Sequence, residues 1–229
     1  MQIGLYGDSL TEGRPGVSFY NILSEQFPND TLYNLGKPGE TVISLTNRIS
    51  NQKQNDVFDI SFLWIGVNDI YAKLLKVKAN PIASNQEEFQ ERYKILLEKI
   101  LKQSKRVIVV SPTIIGENIN NEWNKQIYEF GTVISVLSQQ YENVVYLNLY
   151  KEFISILENY DTSEYITTNS LRVMWEALFL KKQEKIDRIS QKRGLYLTLD
   201  GVHLNSKGAE LVADHYAQII RMTKNFILC

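Results

Sequence analysis

The segment Ile60-Ser61-Phe62-Leu63-Trp64-Ile65 is almost continuously apolar and runs directly into Gly66-Val67-Asn68-Asp69. A strand that is apolar on both sides is typical of a parallel sheet, because helices cover both of its faces. Ile3–Tyr6 and Val107–Val110 have the same character. The segment therefore predicts a central strand of a parallel sheet, followed by a loop at its carboxyl end.

Short β-branched and aromatic runs bounded by turn residues predict five strands along the chain. They lie at Gln2–Tyr6, Thr31–Leu35, Asp59–Ile65, Arg106–Ser111 and Val144–Leu149. Apolar residues with helical spacing lie between them, most clearly over residues 89–100 and 123–137. This alternation predicts an α/β fold, a three-layer α/β/α sandwich of flavodoxin-like type with a five-stranded parallel sheet. In such folds the ligand lies at the carboxyl ends of the strands.

Length and composition indicate one globular domain over residues 1–229, with 44% apolar and 22% charged residues. The 25 Lys and Arg nearly balance the 26 Asp and Glu, so the net charge implies neither a nucleic-acid partner nor an anionic membrane. The chain shows neither a signal peptide nor an apolar run of about 18 residues that could span a membrane. We therefore expect a cytoplasmic protein.

The segment from Glu158 to Leu199 is unusually long for a connection that leads to the C-terminal helix, which is expected to begin near Asn205. It contains an apolar stripe with helical spacing and predicts an inserted amphipathic helix. This helix could form a lid over the site, join two copies of the chain in a homo-oligomer, or fill the scaffold. The stripe comprises Leu171, Met174, Trp175, Leu178 and Phe179, and weakens toward Ile186 and Ile189.

Ser9 follows the first predicted strand in the sequence Gly7-Asp8-Ser9-Leu10. At this position its hydroxyl projects at the ligand-binding edge, and its N–H at the start of a turn can point at an anion. Asp8 can accept hydrogen bonds from the N–H groups that follow it. Taken alone, the same residues also fit an ordinary capped loop.

Two further segments offer hydrogen-bond donors at the same edge of the sheet. Gly39 ends the segment Asn34-Leu35-Gly36-Lys37-Pro38-Gly39 and precedes a helix predicted at Glu40–Ser50, which leaves its N–H unpaired. Asn68 follows the third strand and carries a carboxamide, and we expect Asp69 to hold its loop in place. In isolation, each segment is also typical of a simple turn.

Asp200 precedes His203 by three residues, so one turn of chain would let its carboxylate reach Nδ1–H and leave Nε2 as a base. A helix-entry cap is the alternative reading of Asp200. The second histidine, His215, lies inside a helix predicted at Lys207–Thr223 and is interpreted as a packed or solvated side chain. The single cysteine, Cys229, excludes an internal disulfide and a thiolate metal site.

Together, these segments resemble the blocks of the GDSL, or SGNH, hydrolase superfamily, from about residue 4 to about residue 216. The resemblance implies Ser9 as nucleophile, His203 as base and Asp200 as the acid that orients it. It also implies an oxyanion hole formed by the N–H groups of Ser9 and Gly39 and the side chain of Asn68. Ser111-Pro112-Thr113 looks like the family's loop that borders the pocket.

The implied function is a serine hydrolase that cleaves esters of small or lipid-like acyl groups through an acyl-enzyme, with a small-molecule ester as its partner and no metal or organic cofactor. Trp175 and Phe179 at the mouth of the site would favour an acyl chain over a bare acetyl group. A deacetylase of O-acetylated carbohydrate and a non-catalytic binding module are the alternatives. A flavin or phosphate binder is disfavoured, since neither a G-x-G-x-x-G nor a P-loop pattern occurs.

Overall fold

The computed structural model describes residues 1–51, 57–76 and 80–227, with side chains described as far as residue 224. The strands are β1 Gln2–Gly7, β2 Thr31–Gly36, β3 Ile60–Trp64, β4 Val107–Val110 and β5 Val144–Leu147. The helices are α1 Ser9–Glu12, α2 Phe19–Gln26, α3 Val42–Asn51, α4 Val67–Leu75, α5 Gln86–Leu101, α6 Glu122–Ser138, α7 Leu149–Leu157, α8 Ser170–Phe179, α9 Gln183–Lys192 and α10 Ser206–Ile227. Cys229 lies outside the described residues.

The five strands form one parallel sheet with the order β2-β1-β3-β4-β5. All five predicted strands are confirmed, with ends that differ by no more than two residues, and the helix predicted to begin at Glu40 begins at Val42. At the carboxyl edge, Gly7 pairs with Gly36 on one side and with Trp64 on the other. The loops that follow β1, β2 and β3 therefore leave the sheet side by side.

Two helical layers cover the sheet and complete the predicted sandwich. In one layer α2 packs against α10, and in the other α3, α5 and α6 pack together. Phe62 of β3 stacks on Tyr216 of α10 with ring centroids 4.1 Å apart, while Phe89 and Phe130 stack at 3.8 Å between α5 and α6. Buried aromatic pairs of this kind stabilise the layers beyond the area they remove from water.

The inserted segment differs from its prediction, because it forms two helices, α8 and α9, instead of one. The helix breaks after Phe179, where Leu180 leaves the helical conformation with φ −93° and ψ 84°. Leu180 packs there with Ile186 and Leu199 in a small apolar cluster. The five residues of the predicted stripe on α8 are between 56% and 73% exposed, so this stripe does not fill the scaffold. Within the ranges that the structure describes, no helix is long and apolar enough to cross a bilayer.

Candidate active site

A hydroxyl, an imidazole and a carboxylate form a continuous chain of contacts at the carboxyl edge of the sheet. Ser9 Oγ lies 3.0 Å from His203 Nε2, and His203 Nδ1 lies 2.8 Å from Asp200 Oδ2. The three residues are almost fully buried, with Ser9 6% and His203 3% exposed. The fold thus joins three predicted site residues across 194 positions of sequence.

The position of Ser9 follows from a close approach of backbone segments at the end of β1. A Cβ atom at Gly7 would lie 2.5 Å from the carbonyl oxygen of Trp64, so only glycine fits between β1 and β3. Asp8 caps α1 by accepting a hydrogen bond from Leu10 N–H at 2.9 Å. Ser9 is the first residue of α1, and an N–H at this helical position has no acceptor within its own helix.

Asp200 orients His203 through both of its carboxylate oxygens. Oδ2 faces the imidazole, while Oδ1 accepts hydrogen bonds from the backbone N–H of His203 at 2.8 Å and of Val202 at 3.1 Å. The carboxylate therefore holds the backbone and the ring of His203 together. The other histidine, His215, lies on α10 with Nε2 3.7 Å from a carboxylate oxygen of Glu152.

Asn68 lies in the first turn of α4 and not in the loop that the sequence predicted, and it is next to the turn that contains Gly39. Asn68 Nδ2 donates a hydrogen bond to the Glu40 carbonyl at 2.9 Å, which fixes its amide next to the Glu40–Thr41 peptide. Gly39 has φ +74°, a conformation that favours glycine. Asn80 Nδ2 donates to the Gly39 carbonyl at 2.8 Å and supports the same turn from outside.

Asp69 is buried and connects three segments of the chain. Its carboxylate accepts hydrogen bonds from Val42 N–H at 3.0 Å, at the start of α3, and from Ala83 N–H at 3.3 Å, before α5. Asp69 itself belongs to the first turn of α4, next to Asn68. It is therefore placed to keep the first turn of α4, which carries Asn68, against α3.

Burial and neighbouring charges set the pKa values of the site. Burial alone would lower the pKa of His203, but the Asp200 carboxylate outweighs it and raises that pKa above its ordinary value of 6.5. Burial acts to raise the pKa of Asp200, yet the charge and hydrogen bonds of His203 hold it below its usual value. Burial raises the pKa of Asp8 and of Asp69 to about 7 each.

Sequence reasoning missed Glu117, a buried acid in the loop after β4. Its Oε2 accepts from Tyr196 N–H at 2.6 Å, and its Oε1 accepts from the N–H groups of Leu197 and Thr198 at 2.8 and 2.7 Å. The Thr198 hydroxyl also donates to Oε1 at 2.8 Å. Glu117 thereby fixes the chain directly before Asp200. The only sequence signal is a single acid directly after the apolar stretch Ile114-Ile115-Gly116.

The sequence also did not predict a buried ion pair between Arg193 and Glu176, on the other side of this loop. Arg193, at the end of α9, donates hydrogen bonds to the carboxylate of Glu176 on α8 and, at 2.8 Å, to the carbonyl of Leu199. Both side chains of the pair are buried. The inserted helices are thus attached to the residue that precedes Asp200.

This geometry suits transfer of an acyl group. The imidazole can take the Ser9 proton while the Asp200 carboxylate stabilises the resulting imidazolium, which makes the hydroxyl oxygen a nucleophile. Asn68 keeps a second amide hydrogen besides the one bonded to Glu40, so it can donate to a developing negative charge. Among the residues that the structure describes, no group of three His, Cys, Asp or Glu could hold a metal ion.

Comparisons with known proteins agree with this arrangement. A family model described as GDSL-like lipase/acylhydrolase matches residues 3–216, whereas no curated protein matches the chain. The acetyl xylan esterase AlAXEase superposes with a TM-score of 0.68 at 20% identity, covering 96% of this chain and all of its own. Axe2, an acetylxylan esterase from Geobacillus stearothermophilus, gives 0.70 at 16% identity, covering 95% of this chain and 92% of its own. For a protein described as a possible lipase from Chitinophaga pinensis, the TM-score is 0.66 at 16% identity, with 96% of this chain and 98% of that chain covered. The TM-scores of 0.66–0.70 show a shared fold.

Proposed function

Because the chain belongs to the GDSL-like lipase/acylhydrolase family, and is therefore a carboxylic ester hydrolase, we propose that Ser9, His203 and Asp200 are its catalytic triad. The observation that carries this assignment is the continuous contact from Ser9 Oγ through His203 to Asp200, with distances of 3.0 and 2.8 Å. These are hydrogen-bond distances, as proton transfer from the nucleophile requires.

Acylation begins when Ser9 Oγ attacks the carbonyl carbon of the ester and gives its proton to His203 Nε2. The carbonyl oxygen becomes an anion. We assign its stabilisation to hydrogen bonds from the N–H groups of Ser9 and Gly39 and from the free amide hydrogen of Asn68. When the tetrahedral intermediate collapses, its bond to the alcohol oxygen breaks. His203 returns the proton to that oxygen, the alcohol leaves, and the acyl group remains on Ser9.

Deacylation repeats these steps with water as the nucleophile. His203 takes a proton from water, and the resulting hydroxide attacks the acyl carbon held on Ser9. The same donors stabilise the second oxyanion. Collapse releases the carboxylic acid and returns the proton to Ser9 Oγ, so that neither a metal nor an organic cofactor takes part in the cycle.

For the substrate, we favour esters of small or lipid-like acyl groups. The inserted helix α8 supports this choice, because it carries a row of exposed apolar side chains and is attached through Glu176 and Arg193 to the loop that bears Asp200. An apolar surface next to an acyl-transfer site suits an acyl chain or a substrate held in a lipid aggregate.

An O-acetylated carbohydrate is the second candidate substrate. Two of the structural neighbours are described as acetyl xylan esterases, and the turn at Gly39 is bordered by the polar side chains of Lys37 and Asn80. A polar rim of this kind can form hydrogen bonds with a sugar, while the reacting acetyl group is small enough for a narrow site.

The substrate classes are separated by kcat/KM on p-nitrophenyl esters from acetate to laurate, measured beside an acetylated xylooligosaccharide. A maximum at medium or long acyl chains supports the lipid-like substrate, and preference for the acetylated saccharide supports the carbohydrate.

In the same assays Ser9→Ala and His203→Ala should each lower kcat by about 10⁴-fold or more. Failure of a fluorophosphonate probe to label Ser9 in the folded protein would contradict the triad.

A further inference from the structure

We propose that the exposed side of α8 and the cations beside it form a docking surface for an anionic lipid bilayer. This inference goes beyond the proposed ester hydrolysis, since it concerns where the protein binds. It rests on three observations: the orientation of α8, the distribution of charge around it, and its attachment to the active-site loop.

The orientation of α8 is the reverse of that expected for a surface helix, which normally turns its apolar side to the core. The most deeply buried residue of α8 is an acid, Glu176, whose carboxylate binds Arg193. The solvent-exposed side, here called the α8 face, is an apolar stripe that includes the ring contact between Trp175 and Phe179. The α8 face consists of Leu171, Met174, Trp175, Leu178 and Phe179, all more than half exposed.

The α8 face is large for an uncovered surface. Five such side chains, each with an area of order 100–250 Å², expose roughly 600 Å² of mostly apolar surface at these fractions. This is at the upper end of the largest apolar patch on a typical monomer, about 300–600 Å², and such patches are often functional. Leucine, methionine and aromatic side chains are those that insert into the boundary between lipid headgroups and acyl chains.

Positive charge is concentrated around this face although the whole chain is nearly neutral. Residues 170–193 contain seven Lys and Arg but three Asp and Glu, against 25 and 26 in the full chain. Arg193 and Glu176 form a buried pair, and Asp187 accepts hydrogen bonds from Ser206 at the start of α10. This leaves six exposed cations beside one exposed acid, Glu184. The exposed charges of the segment are therefore mainly cations, as an anionic lipid surface requires.

The cations lie where they can contact the same plane as the α8 face. Lys181 and Lys182 are exposed directly after α8. On α9, Ile189 and Arg193 turn toward α8, since Ile189 packs on the cluster around Leu180 and Arg193 binds Glu176. Successive residues of a helix are rotated by about 100°, so the side of α9 next to Ile189 and Arg193 can be identified. That side carries three exposed cations. They are Lys185, Arg188 and Lys192.

A second copy of the chain fits this surface less well. If two α8 helices packed antiparallel, Arg172 of one copy would approach Lys181 and Lys182 of the other, and a parallel arrangement would place each cation against its equivalent. Repulsion between like charges thus favours an anionic surface over a dimer.

Docking on α8 would bring the catalytic edge close to the lipid. On its buried side, α8 binds Arg193 through Glu176, and Arg193 binds the carbonyl of Leu199, the residue before Asp200. The helix that meets the bilayer and the loop that carries the proposed base are therefore parts of one hydrogen-bonded unit. Esters in the membrane would be supplied at high local concentration.

Binding is tested with the full chain carrying Ser9→Ala, so that lipid hydrolysis cannot interfere. Co-sedimentation is measured with vesicles of phosphatidylcholine and phosphatidylglycerol in equal parts and with vesicles of phosphatidylcholine alone. We expect binding to the anionic vesicles that weakens as salt rises from about 0.05 to about 0.5 M. A blue shift of tryptophan fluorescence should accompany it and disappear in Trp175→Phe.

Two variants remove the two parts of the surface separately. Leu171→Ser with Phe179→Ser removes apolar contact, and Lys181→Glu with Lys182→Glu reverses charge; each should weaken binding by about tenfold or more. The matched controls are Tyr128→Ser, an equally exposed residue on α6, and Lys94→Glu with Lys151→Glu. The controls should bind like the parent.

Three results would overturn the proposal. The first is the absence of binding to anionic vesicles at low salt, and the second is equal binding by the α8 variants and their controls. The third is a dimer in analytical ultracentrifugation that Leu171→Ser with Phe179→Ser converts to a monomer, because the α8 face would then join two copies. Neither of the first two results bears on Ser9, whose role is tested by turnover alone.

Discussion

The Asp200 carboxylate lies 2.8 Å from His203 Nδ1 and raises the pKa of the imidazole above 6.5 despite its burial. As the proposed base, His203 must be neutral to accept the Ser9 proton, so kcat/KM should rise with pH through a midpoint above that value. In Asp200→Asn the raising charge is lost while burial remains. We expect the midpoint to move to lower pH and kcat to fall by about 10²–10⁴-fold.

A pH–rate profile of kcat/KM for both proteins on one chromogenic ester measures this shift. Glu152→Gln is the matched control, because Glu152 faces His215 on the surface of α10 and not His203. Its profile should coincide with that of the parent. An unchanged midpoint in Asp200→Asn would show that Asp200 does not control the protonation of the base.

Glu117 provides a second prediction at the residue scale. Its carboxylate accepts four hydrogen bonds from residues 196–198, and an amide in Glu117→Gln would turn N–H hydrogens toward N–H donors. The chain before Asp200 would shift, so kcat should fall by about 10–100-fold while KM changes little. Glu122→Gln, at an exposed acid on α6, should leave both constants unchanged. A loss confined to KM would argue against a positioning role.

The contrast between Asp200 and Glu117 shows what sequence can reveal about single residues. Asp200 and His203 are three positions apart, so local spacing is enough to predict their contact. The contact of Ser9 with His203, 194 positions away, was expected only from the family resemblance. Glu117 binds backbone N–H groups about 80 positions away. Backbone donors have no residue type of their own, and no spacing in the sequence indicates where they will be.

At the scale of secondary-structure elements, the strands were predictable because burial on both sides leaves a continuous apolar run, as in Val107–Val110. The structure of the inserted segment was harder to predict from the sequence. Helical periodicity shows that α8 has an apolar side, but it does not show whether that side faces the core or the solvent. The sequence also did not reveal the break at Leu180. A leucine that leaves the helix to pack with Ile186 has the same place in the apolar pattern as a leucine that continues the helix.

The attachment of α8 leads to an element-scale prediction. Glu176→Ala would leave the buried Arg193 without its counter-charge, which should lower the free energy of unfolding by about 3–5 kcal/mol. Leu171→Ser, on the exposed side of the same helix, should change it by less than about 0.5 kcal/mol. Urea unfolding of both variants measures the difference. Equal losses would mean that the α8 face is covered in solution.

At the scale of the whole molecule, buried titratable groups should make stability depend on pH in the opposite sense to activity. Asp8 and Asp69 have pKa values of about 7 in the folded chain, against 3.8 ordinarily. Between these values the folded state binds more protons than the unfolded state, so the free energy of unfolding falls as pH rises. The raised pKa of His203 acts in the same direction. Asp200, whose pKa is lowered, limits stability on the acid side.

The chain should therefore unfold more easily at about pH 8 than at about pH 5, by roughly a few kcal/mol, although hydrolysis is faster at the higher pH. Urea unfolding at the two pH values measures this difference. Asp69→Asn removes one of the titrating carboxyls and should reduce the dependence, whereas Asp161→Asn, at an exposed acid, should not. Equal or greater stability at the higher pH would mean that these carboxyls ionise as readily in the folded protein as in the unfolded chain. The predicted opposition arises because Asp8 adjoins Ser9, the proposed nucleophile, and Asp69 adjoins Asn68. The edge of the sheet that would exclude water for catalysis also buries these two acids.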